Sequence, residues 1–335
     1  MPDKPVRFAI VGLGMGNVRA KDCKQAAGAE LALLCDIDQE RLARNMKEFD
    51  VPGTTSYEEV LKRDDIDVVM IMTPSGMHAE QGIAAAKAGK HVVSTKPLDV
   101  SLEAIDKLIK TCDKAGVMLA VDFQERYTDM PTRVRAALDK GMFGDLILIE
   151  ARLKWYRSDK YYEGWHGTWK MDGGGSLMNQ TVHLIDQLQW FGGDIEQVVG
   201  RMKVCTHKIE TEDLGLALVD FKNGAKGVIV GTTTFPDSRT YDMEIHGSKM
   251  AAAWGSVNGQ WCKSLPEGTD LPPRPADAPK NIFEDVVRSL RQGTKVLVDG
   301  REGRKSVELI LAVYKSAMTG KPVRLPLKTF KPPVA

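Results

Sequence analysis

Apolar positions in the first third of the chain fall in short β-branched runs separated by segments with helical spacing. The runs over 7–12, 30–36, 68–73, 91–95 and 118–123 are nearly continuous in apolar residues, as strands covered on both faces must be. Between them, residues 79–88 and 101–115 carry the one-sided apolar spacing of amphipathic helices. The alternation predicts consecutive βαβ units and therefore an α/β Rossmann domain with a doubly wound parallel sheet.

After Phe123 the rhythm changes. A helix over 129–140 leads into a long strand at 145–155, an aromatic loop and a glycine-rich helix start. Strands near 197–205, 214–221, 226–233 and 241–246 follow, with hairpin punctuation such as Lys222-Asn223-Gly224. They predict a second, α+β domain with a large, mostly antiparallel, open-faced sheet. The proline-rich stretch 265–279 reads as a surface loop, and helices over 282–291 and 301–319 close the chain. The expected division is a dinucleotide-binding domain at 1–123 and a substrate-binding and oligomerisation domain at 124–335, with the last helices packing back on the first. A sheet with one face left open is expected to pair with another copy, as a homo-dimer or homo-tetramer.

Composition narrows the class. At 335 residues the chain exceeds one ordinary core, and 43% hydrophobic with 27% charged residues is a globular balance. No run of about 18 apolar residues is present, so no membrane span is expected. Met1-Pro2-Asp3-Lys4-Pro5 runs straight into the first strand, which leaves no room for a secretory signal and makes a cytoplasmic location the expectation. The net charge of +1 is dispersed, which argues against nucleic acid as a partner. Cys23, Cys35, Cys112, Cys205 and Cys262 share no metal-ligand spacing and read as reduced core thiols. The histidines show no such spacing either, so no metal is expected.

Candidate chemistry begins at Gly12-Leu13-Gly14-Met15-Gly16. Glycines at a strand-to-helix turn let a pyrophosphate approach the backbone and the helix N-terminus. Asp36 ends the second strand, where a carboxylate accepts hydrogen bonds from adenosine ribose hydroxyls and repels a 2′-phosphate, which favours NAD over NADP. The competing reading of Asp36 is an N-cap for the next helix. Asn17 stands where the third glycine of the fingerprint is expected, with Gly16 one place early, which leaves the helix-to-strand packing open. The expected cofactor contacts are Gly12 to Gly16, then Asp36, Ile37 and Arg41, Thr73, Pro74 and His78, Thr95 and Lys96, and Gln124.

Lys96 follows the strand at 91–95, at the strand end where ligands bind in open α/β sheets. Farther on, Gly173 to Asp186 opens a helix on which Asn179, His183, Asp186 and Trp190 share a stripe about 60° wide at about 100° per residue, opposite a wide apolar face. Such a stripe faces a cavity or satisfies core hydrogen bonds. Tyr156, Trp165 and Trp169 belong to a loop rich in aromatic residues in a chain only 7% aromatic. Rings of this kind cover sugars and nicotinamides or build oligomer interfaces.

With these residues in place, the chain resembles the glucose-fructose oxidoreductase and inositol dehydrogenase family, Gfo/Idh/MocA. The resemblance rests on Gly12-Leu13-Gly14, Cys35-Asp36-Ile37-Asp38, Thr73-Pro74-Ser75-Gly76-Met77-His78, Lys96-Pro97-Leu98, the helix from Gly173 to Asp186, and Val298 to Lys305. It implies that Lys96 lies beside nicotinamide and substrate and that His183 accepts a proton. Thr95 replaces the family's usual glutamate, so a carboxylate that could tune Lys96 is missing from that position. Asn179 replaces a common aspartate; it can orient a hydroxyl but cannot take its proton, which moves that task to His183. Lys96, Tyr156, Trp165, Trp169, Asn179, His183 and Asp186 are the expected substrate contacts. The function expected is NAD-dependent oxidation of a hydroxyl on a sugar, glycoside or polyol, or reduction of the keto-sugar. The alternatives are a redox glycoside hydrolase of the same fold and a non-catalytic NAD-binding sensor.

Overall fold

The computed structural model describes residues 4–236, 240–257 and 260–331. The first three residues and the side chain of Cys262, expected among the core thiols, lie outside the described residues. The chain divides into two compact units, Met1–Gln124 with Pro279–Arg304 and Glu125–Ala278 with Lys305–Ala335.

The first unit alternates strands and helices as β1 (Val6–Val11), α1 (Gly16–Gln25), β2 (Ala29–Cys35), α2 (Gln39–Phe49), β3 (Gly53–Thr54) and α3 (Tyr57–Lys62). It continues with β4 (Val68–Ile71), α4 (His78–Lys87), β5 (His91–Thr95), α5 (Leu102–Ala115) and β6 (Leu119–Asp122). The six strands are parallel in the order β3-β2-β1-β4-β5-β6, the doubly wound arrangement whose strand order reverses beside β1. Phe8, Ile10, Val69, Ile71 and Val92 are fully buried, as the unbroken apolar runs require. Both faces of the sheet are covered, so its ligand chemistry is confined to the strand ends.

The second unit opens with α6 (Asp129–Asp139) and β7 (Leu146–Lys154), and after the aromatic loop a π-helical segment at Ser176–Thr181 runs into α7 (Val182–Gly192). Strands β8 (Ile195–Lys203), β9 (Leu214–Phe221), β10 (Lys226–Thr232), β11 (Thr240–Gly247), β12 (Ala251–Val257) and β13 (Gln260–Ser264) follow. The chain then forms α8 (Ile282–Gln292), α9 (Gly300–Thr319) and β14 (Val323–Arg324). Helix α8 belongs to the first unit, where Phe283 meets Phe8 edge-on at 5.1 Å.

The eight-stranded sheet has the order β13-β12-β11-β7-β10-β9-β8-β14. Only β7 and β10 pair in parallel; the other pairs are antiparallel. Along β9, Ala217, Val219 and Phe221 are buried while Leu218 on the other face is 62% exposed, the alternation of a sheet with one face covered. Strands β12 and β13 fall in a stretch to which the sequence pattern assigns no element; Ala251-Ala252-Ala253 carries no β-branched signal. Cys23, Cys35 and Cys112 are buried free thiols, but Cys205 is exposed and so is not a core residue. Among the described residues no helix is long and apolar enough to cross a membrane, and no cluster of His, Cys, Asp or Glu is arranged to hold a metal.

Helix α7 is pinned by a buried ion pair. Arg126 Nε and Nη2 donate to the two carboxylate oxygens of Asp186, each at 2.7 Å, and the guanidinium lies 4.9 Å from the Trp190 ring centre. Removing the arginine strands a buried carboxylate. Arg126→Met should therefore lower the unfolding free energy by about 3–5 kcal/mol, measured by chemical denaturation.

Candidate active site

In the first unit the strand-end loops of β1, β2, β4 and β5 carry the expected cofactor residues. Gly12 has φ 91°, and a β-carbon there would lie 2.8 Å from the Met72 carbonyl group, so only glycine fits. No atom comes within 4 Å of a β-carbon built at Gly14, which leaves open space over the turn. Gly16 starts α1, and its α-carbon faces Ile10 so closely that an added β-carbon would sit 3.2 Å from Cγ2. Gly16 thus supplies the tight helix-to-strand packing that the displaced third glycine had left open. Asn17 instead donates to Asn45 at 2.8 Å. No side chain caps α1 and no acidic residue occupies its first turn, so its positive end is available to an anion.

Asp36 is 5% exposed. Its Oδ2 accepts from Leu13 N at 2.7 Å and its Oδ1 from Asp38 N at 2.8 Å, while Arg41 Nη1 lies 3.2 Å from Oδ2. The N-cap of α2 is Asp38, which accepts from Arg41 N at 2.9 Å. That decides against Asp36 as the cap. Beside this group Met15 and Ile37 are 70% and 90% exposed, an apolar pair at the mouth of a polar turn. A glycine-rich turn with open space at Gly14, an uncapped helix end and exposed apolar flanks fit a dinucleotide's pyrophosphate and adenosine.

Thr73, Pro74, Thr95, Lys96 and Gln124 are half-buried at the strand ends. His78, expected as a cofactor contact, is a buried strut instead: Nδ1 lies 2.8 Å from Pro97 O and Nε2 2.7 Å from Thr73 O. Burial pulls its pKa down, and the charge of Lys96 adds to that effect. A buried carboxylate stands on the next strand. Asp122 lies opposite Thr95 in the β5–β6 register, is 1% exposed, and pairs with Arg19 at 2.5 Å. Burial pushes its carboxyl up, Arg19 pulls it down, and Lys96 contributes a smaller downward pull.

In the second unit, every residue from 172 to 188 is buried except Asn179 and His183, which are half-buried. The expected stripe therefore splits. Its far half, Asp186 and Trp190, is taken up by Arg126, so Asp186 is a packing anchor and not a substrate contact. The near half sits where the π-helical turn meets α7. An inserted turn of this kind breaks the regular angle count on which the stripe was drawn.

Asn179 is held on both ends of its amide. Its Nδ2 donates to Asp172 Oδ1 at 2.5 Å, and its Oδ1 accepts from the Tyr161 hydroxyl at 3.3 Å. The Tyr161 hydroxyl in turn accepts from Gln180 Nε2 at 2.9 Å; burial and Asp172 keep it protonated. Asp172 also accepts from Gly167 N at 2.8 Å. Trp165 stacks on His166 at 3.9 Å and Tyr156 is 54% exposed. Trp169, expected at the substrate, is a core residue 8% exposed and edge-on to Tyr314.

Glu212 underlies the glycine turn. Its carboxylate accepts from Gly175 N at 2.9 Å, Leu177 N at 2.8 Å and the Tyr314 hydroxyl at 3.0 Å, and its carbonyl accepts from Ser176 N at 3.1 Å. Sequence reasoning missed Glu212, Asp172 and Arg126. Only Asp172, set directly before three glycines, carried a local signal.

Residues 6–123 match the oxidoreductase family with an NAD-binding Rossmann fold, and residues 132–253 match the GFO/IDH/MocA C-terminal domain. The WlbA dehydrogenase from Bordetella pertussis, solved in complex with NADH and UDP-GlcNAcA, is 30% identical with a TM-score of 0.88, over 98% of this chain and 100% of that one. Myo-inositol 2-dehydrogenase of Thermotoga maritima is 25% identical over 96% of this chain and 98% of its own length. The NADP-dependent D-xylose 1-dehydrogenase 2 of Haloferax volcanii is 25% identical over 95% and 99%.

Burial pushes the Glu212 carboxyl up to about 7, against the donors that pull it down. The folded value then lies above that of an unfolded glutamate, so the native state keeps a proton that the unfolded chain releases. Its contribution to stability is full below the unfolded value near 4.5 and declines as pH rises towards 7, by up to roughly 3 kcal/mol. The difference in unfolding free energy between wild type and Glu212→Gln should show that decline; a difference that stays flat with pH would contradict it.

Proposed function

The chain belongs to the GFO/IDH/MocA family of oxidoreductases, and from that premise we propose that it is an NAD-dependent dehydrogenase acting on a sugar or polyol hydroxyl. The observation that carries the reading is the isolation of Asn179 and His183 as the two half-buried residues in an otherwise buried helix start. The similarity to a WlbA dehydrogenase solved with NADH and UDP-GlcNAcA supports a sugar as the target.

In this mechanism His183 takes the hydroxyl proton as general base. Lys96 holds the same oxygen and stabilises the negative charge that develops on it. Asn179, clamped by Asp172 and Tyr161, orients the hydroxyl. The nicotinamide, when bound, supplies the hydride acceptor. The open sheet face, with Ile147, Leu216 and Leu218 exposed, suits pairing with a second copy as a dimer or tetramer.

Replacing His183 by Ala or Lys96 by Met should each cut turnover by about 10²–10⁴-fold, followed as NADH formation across a panel of pyranosides, inositols and sugar nucleotides. Near wild-type rates in both variants would sink the assignment. Product formed without matching NADH would point to the redox hydrolase.

The preference for NAD is assigned to Asp36, whose buried carboxylate is oriented by Leu13 N and Asp38 N, and to an Arg41 already balanced by Asp36 and Asp38. Asp36→Ala, which frees Arg41, should lower the NAD-to-NADP ratio of kcat/KM by about ten-fold or more. An unchanged ratio would place cofactor selection elsewhere.

A further inference from the structure

The aromatic loop after β7 contains a charge that the hydride-transfer reading does not use. Arg157 is fixed at the backbone from both sides: its N–H donates to Thr233 O at 2.9 Å, and its carbonyl lies 2.8 Å from His207 Nε2. The opposite ring nitrogen of that histidine lies 3.0 Å from Asp213 Oδ2. The side chain enters a ladder of flat groups. Its guanidinium carbon is 5.3 Å from the Trp155 ring and 4.6 Å from the Tyr161 ring, and Tyr161 continues through His166 at 4.1 Å to Trp165 at 3.9 Å.

Stacking engages the face of a guanidinium and leaves its edge, where all five N–H donors lie, for other partners. Among the described residues Arg157 has no side-chain hydrogen bond or ion pair, and its Nε is buried without a partner. Other sequestered arginines are paired: Arg19 with Asp22 and Asp122, Arg126 with Asp186, and Arg152 on the preceding strand with Asp242 and Glu244. Nearby acids are occupied. Asp172 receives Gly167 N and Asn179, and Asp213 receives Cys205 N, Thr206 N and His207. Tyr161 links this unmatched fork to the reaction residues, because the ring that carries the guanidinium also reaches Asn179 through its hydroxyl.

We propose that Arg157 recognises an oxyanion on the substrate, so that the sugar carries a carboxylate or phosphate set one tyrosine ring away from the hydroxyl that Asn179 orients. A fork with its face already packed needs only a planar or tetrahedral oxyanion to complete it, which is the partner guanidinium geometry selects. This rests on the sugar-dehydrogenase reading above and adds the charge of its substrate.

The test uses the full chain saturated with NADH and calorimetric titration with methyl β-D-glucuronide, glucose 6-phosphate and methyl β-D-glucoside. At least one anion should bind about ten-fold or more tightly than the neutral glucoside, the uronide if the group is a carboxylate and the 6-phosphate if it is a phosphate. Arg157→Met should erase that preference and Arg157→Lys keep part of it, with NADH affinity and melting temperature reporting that both variants fold. If the methionine variant does not fold, the lysine variant and the salt dependence of wild-type binding decide. Equal affinity for all three compounds, no binding of any, or a preference that survives loss of the guanidinium overturns the proposal. Turnover of neutral sugars without an anion preference overturns it while leaving the dehydrogenase reading intact. Arg157-dependent anion binding without NADH formation does the reverse.

Discussion

The placement of Asn179 and His183 depends on one buried carboxylate meeting bare backbone. Three successive glycines at 173–175 leave N–H groups with no side chain to shield them, and Glu212 at the edge of β9 accepts from Gly175 and Leu177 with its carboxylate and from Ser176 with its carbonyl. The approach tolerates nothing larger: a β-carbon at Gly175 would lie 1.7 Å from the Glu212 carbonyl oxygen. Glu212 lies two residues before β9, so the contact ties the start of the π-helical turn to the sheet. Asn179 and His183 inherit their positions from that contact. A loosely held helix start would misplace them by an ångström or more, which is enough to damage a proton-transfer geometry.

The first unit uses acids in the same way. Asp36 organises the glycine turn through Leu13 N, and Asp99 ties the loop after β5 to α4 by accepting from Ala79, Val100 and Ser101 amides. Burial pushes the Asp99 carboxyl up while those amides pull it down. His78 joins the same loops from the other side, between Thr73 O and Pro97 O. Buried polar groups are costly unless satisfied, and satisfied by backbone they lock loops that have no regular structure of their own. The ligand-facing strand ends are thus rigid without strands or helices to make them so.

Much of the architecture was legible because it follows from periodicity. Continuous apolar runs marked the parallel strands, and the hairpin punctuation at Lys222-Asn223-Gly224 marked β9 and β10. The glycine turn and the acid ending β2 were legible as a pair, and the loss of the third glycine proved to be a shift of one residue, since Gly16 packs against Ile10. What failed was local geometry extrapolated past an irregularity. The stripe through Asn179, His183 and Asp186 assumed an unbroken α-helix, and the π-helical turn together with Arg126 divides it. Trp169 and His78 carry residue types that suggest ligands, but Trp169 packs against Tyr314 and His78 bonds Pro97 O, partners far from them in sequence. Strand β12 was invisible because its run of small residues carries no strand signal until a neighbouring strand supplies the ladder.

The surroundings of Lys96 show why position in a motif is a weaker guide than position in a sheet. With Thr95 in place of glutamate, the sequence suggests a lysine without a tuning acid. Parallel pairing of β5 with β6 brings Asp122 opposite Thr95, so the carboxylate arrives from the adjacent strand. Its charge is shared, since Arg19 on α1 holds it at 2.5 Å while Lys96 acts on it more weakly. With Thr95 in place of a glutamate, the acid on which Lys96 acts therefore stands on the neighbouring strand.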